Sequence, residues 1–396
     1  MADANDVRTV LLELLRQHSQ SAAVCTEPAS IALASARGCE LLGERPEQID
    51  VYLSPGVMKN AGTAGLPAGN RRGPEVAAAL GAALQRSQDG LDMLLRCTAD
   101  DVDRAYRMVD RGIVAVHKDF DCDVVFVRAV IRGAQHTVEV VISGSHSCVR
   151  EVWKDDARVP VSAGEDVYAA SLEPLKGITL NGLLDVAGTI SEEESRFLLR
   201  GARSNLAVAE RASEEYCLSS QETGPIPLEP GLCLRVRELV MAAICARMKG
   251  VPRPVFTSGG SGNQGLMVSV PILCMAELLQ ASDARILKAL VLAHSVNLYS
   301  KAFIGELSDV CGAVGAGAGV AGAVCQLLGG SDEEVARAVN AMITSLYGMV
   351  CDGAKVSCSL KGATAAVEGL NAGWMAVSGS LFPDCEGVTL ASIGGV

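Results

Sequence analysis

"KDDARVPVSAGED", residues 154–166, is a polar interval between two halves of the chain whose hydrophobic residues recur with different periods. Its acids, Pro160 and Gly164 oppose any regular element, so the pattern changes across it rather than through it. Upstream, "IVAVHKD" (113–119), "CDVVFVRAVIRG" (122–133), "HTVEVVISGSH" (136–146) and "CVREVWKD" (148–155) carry β-branched residues in partial alternation, separated by Asp and Gly turns. Together with "IDVYLSP" (49–55) they predict an antiparallel sheet of about four or five strands. Downstream, five segments are Ala-rich and helical in period: residues 193–216, 233–250, 265–280, 283–305 and 332–348. The expected fold class is an α+β N-terminal domain with an antiparallel sheet, followed by a mostly all-α, Ala/Gly-rich helical domain. The division is placed at 1–165 and 166–396, within a transition near residues 155–180.

Further helices surround the predicted sheet. Val7, Leu11, Leu14 and Leu15 recur at helical spacing near the start of the chain. In "TEPASIALASARGCELLG" (26–43), Thr26 suits a cap, Glu27 the positive end of the helix dipole and Pro28 the first turn, so Cys25 stands just before a helix N-terminus. "NRRGPEVAAALGAAL" (70–84) and "TADDVDRAYRMVDRG" (98–112) also read as helices, the second with Asp100, Asp101 and Asp103 in its first turn.

The 396 residues exceed what one core supports, and a hydrophobic content of 49% against 20% charged residues is ample for two or three. Aromatics are only 4% while glycines number 41, so helices must pack closely through small residues. A formal charge of −12 without any Lys/Arg cluster excludes the electrostatic footprint of a nucleic-acid binder. The N-terminal "MADANDVRTVLLELLRQHS" lacks a basic n-region and a continuous apolar run, so it is not a signal peptide and a cytoplasmic location is expected. "GAVGAGAGVAGAVCQLLGG" (312–330) is uncharged, but Gly and Ala insert poorly into lipid, so it reads as a buried, close-packed helix and no membrane partner is expected.

In a reducing compartment the fourteen cysteines are free thiols, and the question is which of them bind metal or react. Cys39, Cys97, Cys245, Cys274 and Cys325 fall in apolar helical periodicity and read as small hydrophobes. Cys351 and Cys358, in "MVCDGAKVSC", are open to core packing, a disulfide or metal ligation; Gly353 between them favours a helix-to-loop junction over a single helix. Cys311, in "SDVCGAVGAG", is likewise followed by glycine, where freed backbone N–H groups can bond sulfur. Three thiolates can hold a zinc ion or an iron–sulfur cluster, and a cubane on three cysteines leaves one iron open as a Lewis acid. "FTSGGSGNQGLMVSVP" (256–271) leads glycines and two side-chain amides into an apolar helix, which suits a carboxylate or phosphate; it lacks the P-loop lysine.

"VCTEPASIALASA", "LSPGVMKNAGTAGLPAG", "ISGSH", "SGGSGNQGLMVSVP", "SKAFIGELSDVCGAVGAGAG" and "GMVCDGAKVSCSLK" together resemble the L-cysteine desulfidase family, which is related to the alpha chain of iron–sulfur L-serine dehydratases. The likeness runs through nearly the whole chain in the family's order. It implies a pyridoxal-independent lyase of amino-acid catabolism with a 4Fe-4S cluster on three cysteines, which map by motif onto Cys311, Cys351 and Cys358. Two features depart from the family: Ser147 and Cys148 follow His146 where an asparagine is common, and the chain stops at "EGVTLASIGGV" where relatives continue into a further helical segment.

The resemblance implies β-elimination of L-cysteine to pyruvate, ammonia and sulfide. Cys25, matching the family's Cys-Thr-Glu-Pro motif, is the implied proton acceptor, and its place before a helix N-terminus is expected to lower its pKa. Ser261, Asn263 and Gln264 are expected to hold the substrate's carboxylate, with Asn60 and Lys301 or Lys355 as further contacts. Lys59, Lys301 and Lys355 are equally open to pairing with Asp309 or Asp352. L-serine dehydration by the same cluster and a non-catalytic, redox-sensing cluster protein are the alternatives. A small amino acid is the expected partner, and a homo-oligomer is left open.

Overall fold

The computed structural model describes residues 4–69, 71–161, 171–216, 231–381 and 389. The expected division at 165/166 lies outside these residues. Helix α1 (Ala4–His18) buries Val7, Leu11, Leu14 and Leu15. A two-residue strand, β1 (Ser21–Ala22), leads into α2 (Thr26–Leu42), which is buried on nearly every face. Then come β2 (Gln48–Leu53), α3 (Pro55–Ala61), α4 (Pro74–Leu84), a 3-10 stretch at Ser87–Arg96, and α5 (Ala99–Asp110). In α5 the Thr98 hydroxyl accepts from the Asp101 N–H while the Asp101 carboxylate accepts from the Thr98 N–H, a reciprocal cap contributing about 1 kcal/mol.

Strands β3 (Val114–Lys118), β4 (Phe126–Arg132), β5 (Thr137–Ser143), β6 (Val149–Lys154) and β7 (Ala157–Arg158) complete a six-stranded sheet in the order β3-β2-β4-β5-β6-β7. All neighbours are antiparallel except β2 and β3, where Ile49 stands opposite Val114 in a parallel pair. The sequence predicted antiparallel pairing throughout; the exception arises because helices α3 to α5 intervene between β2 and β3, as a parallel crossover requires. Val127, Ala129, Ile131, Val138, Val140 and Ile142 alternate onto the covered face, where they form one core with α2 and α4. Gly38 lets α2 lie close to this face, since a methyl group there would strike Ile131.

The second core is helical. Its elements are α6 (Glu173–Lys176), α7 (Leu180–Gly188), α8 (Glu192–Tyr216), α9 (Leu232–Met248), α10 (Gly262–Leu278), α11 (Asp283–Ile304), α12 (Ala313–Leu327), α13 (Asp332–Leu346) and α14 (Cys358–Val377), with one short strand, β8 (Val255–Phe256). The Gly/Ala-rich α12 is buried at every position but Gln326 and packs against α10, α11, α13 and α14. A methyl group at Gly319 would collide with the Ala293 carbonyl oxygen of α11, and one at Gly369 of α14 would lie 2.7 Å from the Gly317 carbonyl oxygen. The absence of side chains is therefore what permits these axes to approach.

Two observations refine the sequence reading. Helix α1 contributes Leu11, Leu14 and Leu15 to the helical core rather than to the sheet core, and β1 pairs antiparallel with β8, Ser21 opposite Phe256 and Ala22 opposite Val255. Cys97 follows the 3-10 stretch and is only partly buried, because Gly90 kinks that stretch and the apolar periodicity there is not α-helical. Among the described residues, no helix is long and apolar enough to cross a membrane.

Candidate active site

The β1–β8 pair carries the start of α2 to the start of α10. The Thr257 N–H donates to the Gln20 carbonyl at 2.7 Å, and the Gly260 N–H donates to the His18 carbonyl at 2.9 Å. Arg247 of α9, fully buried, donates from Nη1 to the Ala22 carbonyl at 3.0 Å and from Nη2 to the Val24 carbonyl. A guanidinium inside the protein thus satisfies carbonyls of the segment that leads from β1 to Cys25. Gly259 and Gly260 both take positive φ, +54° and +73°, which turns the chain sharply enough for Ser261 to cap α10 by accepting from the Gln264 N–H.

Cys25 occupies the N-cap position of α2, but its thiol makes no capping bond. It donates to Glu27 Oε2 at 3.0 Å. The same oxygen accepts from the Thr26 hydroxyl at 3.2 Å, while Oε1 accepts from Asn60 Nδ2 at 2.7 Å and lies 3.8 Å from His146 Nε2. Cys25 is 7% exposed and Glu27 5%. Burial, followed by the Glu27 charge, pushes the thiol well above its ordinary value, so the expected lowering does not occur: desolvation and an adjacent anion outweigh the helix dipole. Burial also opposes ionisation of Glu27, yet His146 and the bonds from Cys25 and Asn60 hold its carboxyl below the usual range.

The three cysteines mapped by motif meet on two adjacent loops. An isolated bridge pairs Val310 with Val350, the Cys311 N–H donates to the Met349 carbonyl at 2.8 Å, and the Cys351 N–H donates to the Asp309 carbonyl at 2.6 Å. Gly353, at φ +100°, turns the second loop toward α14, whose first residue is Cys358. The Cys311 thiol donates to the Cys351 sulfur; this bond, the Gly353 N–H and the charges of Lys59 and Lys361 lower Cys351 to about 6 despite burial. The Ala313 and Lys355 N–H groups bond Cys311 and Cys358 respectively, the latter at 3.4 Å. Burial pushes the Cys358 thiol up. Among the described residues no group of three or more His, Cys, Asp or Glu is arranged to hold a metal ion.

Cys25, Asn60, Ser261, Asn263, Gln264, Lys301, Cys311, Cys351 and Cys358 all line one cavity of about 160 Å³, well below the roughly 300–1,000 Å³ typical of drug-sized ligands. Lys355 does not line it: its ammonium pairs with Asp352 at 2.8 Å, and only its backbone reaches Cys358. Lys59 pairs with Asp309 at 3.5 Å, whereas Lys301 is buried and donates to the Gly259 carbonyl. Burial lowers the Lys301 pKa. Gln264 Oε1 accepts from Asn297 Nδ2 at 3.1 Å, and Asn263 Nδ2 contacts Met248 Sδ at 3.6 Å.

The sequence reading did not single out Glu27, His146, Arg247, Asn297 or Lys361 as site residues. Glu27 stands two places after Cys25 in the Cys-Thr-Glu-Pro motif, where the sequence shows only a charge suited to a helix end. The departure at Ser147 and Cys148 does not remove this turn from the site, since Ser145, His146 and Ser147 all line the cavity. Lys59, Arg247, Lys301 and Lys361 line the same space as Glu27 and Glu306, so both signs of charge border it.

Residues 162–391 match the model of the serine dehydratase alpha chain, more than half of the sequence. Similarity to relatives extends further. The UPF0597 protein of Moorella thermoacetica is 37% identical over 391 residues, covering 98% of this chain and 89% of that one. The UPF0597 protein of Nitratidesulfovibrio vulgaris is 35% identical, covering 92% and 88%, and that of Methanocella arvoryzae is 32% identical, covering 98% and 92%.

Proposed function

Because the chain belongs to the serine dehydratase alpha-chain family, we propose that it is an iron–sulfur lyase that eliminates the β-substituent of a small amino acid, with L-cysteine as substrate and pyruvate, ammonia and sulfide as products. The observation that carries this reading is the convergence of Cys25, the three thiols Cys311, Cys351 and Cys358, and the start of α10 on one small cavity. The donor set suits a 4Fe-4S cluster: the three candidate ligands are thiols, and each accepts a backbone N–H from Ala313, Gly353 or Lys355, as cluster sulfurs commonly do. When bound there, such a cluster supplies a Lewis acid that makes the β-substituent a better leaving group.

The chain's own residues account for the remainder. The substrate carboxylate is held at the start of α10, where Ser261, Asn263 and Gln264 surround the free N–H groups of the first turn and Lys301 adds positive charge. Cys25 takes the α-proton from the side of the cavity formed by the start of α2. Elimination yields aminoacrylate, which tautomerises and hydrolyses to pyruvate and ammonia in solution. The test is to reconstitute the protein with iron and sulfide under anaerobic conditions and to compare sulfide released from L-cysteine with pyruvate formed from L-serine. Faster turnover of cysteine supports the reading; exclusive turnover of serine assigns L-serine dehydration instead, and turnover of neither leaves a non-catalytic cluster protein.

A further inference from the structure

Cys25 presents a chemical difficulty for its proposed role: a base must be unprotonated, and this thiol is buried beside a carboxylate. We propose, resting on the elimination reading above, that Glu27 is the proton acceptor for Cys25, so that thiol and carboxylate act as a relay in which Glu27 works through Cys25. Three observations support the assignment. The thiol points at Glu27 Oε2 from 3.0 Å, within direct transfer distance. Glu27 is buried and lines the cavity, and its hydrogen bonds come from neutral donors, Cys25, Thr26 and Asn60; His146 Nε2 pairs with it only at 3.8 Å and makes no hydrogen bond. Arg247, the buried cation nearest in role, spends two of its nitrogens on the Ala22 and Val24 carbonyls.

Such a carboxylate costs too much to bury for helix capping alone, since a dipole contribution of about 0.3–1 kcal/mol does not offset several kcal/mol of desolvation. A nucleophile or base whose proton is taken by an adjacent group, itself oriented by a third, is a recurrent solution to this cost. Here Asn60 is the orienting group, fixing Oε1 so that Oε2 faces sulfur.

The step balances. The substrate's α-proton passes to the Cys25 sulfur as the S–H proton passes to Glu27, where an O–H bond forms, so no free thiolate stands beside the carboxylate. The C–H electron pair becomes the new carbon–carbon π bond, and the β-substituent leaves with its own bonding pair. The proton on Glu27 departs with that leaving group, as hydrogen sulfide or water, and Cys25–H with ionised Glu27 is restored. No oxidant or reductant is consumed.

The groups whose charges act on Glu27 are Cys25 of its own element, His146 of the β5–β6 turn, Arg247 of α9 and Lys301 of α11, with Glu306 acting on His146 and Lys301; Cys25 is influenced in addition by Arg247 and Cys358. Glu27→Gln removes one charge from this set, and Glu27→Asp keeps it. The full-length reconstituted protein and both variants are compared in two ways. The rate of iodoacetamide labelling of Cys25, read by mass spectrometry of its peptide, is followed against pH, and kcat and KM for sulfide or pyruvate release are followed over the same range.

In Glu27→Gln the labelling midpoint moves to lower pH, because an adjacent negative charge that disfavoured the thiolate is gone. Turnover at neutral pH nonetheless falls by about 100-fold or more and recovers as pH rises, because the proton must now leave to solvent. Glu27→Asp keeps turnover within about 10-fold, with cluster absorbance unchanged in both variants. An unmoved labelling midpoint overturns the relay, as does a Glu27→Gln variant with normal kcat and a raised KM, which makes Glu27 a binding group for the substrate's ammonium. If the unsubstituted protein eliminates neither substrate, the elimination reading fails by itself, and the labelling midpoint alone decides whether Cys25 and Glu27 are coupled.

Discussion

His294 of α11 lies 1% exposed, with Nδ1 3.4 Å from the Ser19 hydroxyl, and burial lowers its pKa to about 3. The unfolded chain, with an ordinary histidine near 6.5, binds a proton that the folded chain refuses. Stability from this group is therefore complete above about pH 6.5 and is lost as pH falls toward 3, by roughly 3–5 kcal/mol at the extreme. His294→Gln is expected to flatten that part of a plot of Tm against pH. Cys25 is the second residue whose environment predicts an outcome. Cys25→Ser keeps the size of the side chain but replaces a thiol by a far weaker acid, so cluster absorbance and any spectral change on adding substrate persist while turnover is lost by at least about 100-fold. Near-normal sulfide release from that variant identifies Cys25 as a packing residue and moves the search for the base to Lys301 or a bound water.

The helices of the second core are specified by small residues more than by large ones. At Gly319, alanine gains about 1 kcal/mol in helix propensity, but its methyl group collides with the Ala293 carbonyl oxygen, a backbone atom of a fully packed helix that has no room to give way. Overpacking of this kind costs about 1–3 kcal/mol, so the collision wins and Gly319→Ala lowers Tm. Gly188, at the end of α7, has open space where a methyl group would stand, and Gly188→Ala serves as the control that leaves Tm unchanged or raised. The Gly/Ala-rich run of α12 signalled close packing in the sequence because such a composition buries little apolar area unless neighbouring axes approach. The sequence after the junction at Cys358 shows α14 less plainly. Its apolar positions are interrupted by Gly369 and Gly373, which admit α12, and by Gly362, which admits Ile244 of α9 and Met267 of α10; their purpose becomes visible only when those helices are beside them.

At the scale of the whole molecule, two cores share one cavity. Cys311, Cys351 and Cys358 come from the helical core, Asn60 and His146 from the sheet-bearing part, and Cys25 and Glu27 from the start of the helix that the β1–β8 pair and Arg247 tie to both. Replacing any one of the three mapped thiols by serine, Cys358→Ser above all, is expected to bleach the iron–sulfur absorbance of the reconstituted protein while leaving its helical circular dichroism intact. Retained absorbance in Cys358→Ser shows that this thiol is not a ligand.

The sequence by itself determined the order of the two architectures and the close packing of the second. Alternation and helical period are local consequences of which face of an element meets water, and they survive in a linear reading. Of the residues the motifs singled out, all but Lys355 line the cavity, most of them from helix starts and glycine turns where backbone N–H groups are free. Tertiary structure decided the rest. The parallel β2–β3 pair depends on a crossover, the membership of α1 in the helical core depends on the long-range β1–β8 pairing, and Lys355 turns to Asp352 while Lys301 enters the cavity. The raised pKa of the Cys25 thiol was decided there too. A helix N-terminus and a nearby Glu27 are legible as a stretch of residues, but the burial that overrules the dipole and turns the carboxylate against the thiol comes from packing the start of α2 against α3, α9 and the β5–β6 turn, and no local pattern encodes that dielectric.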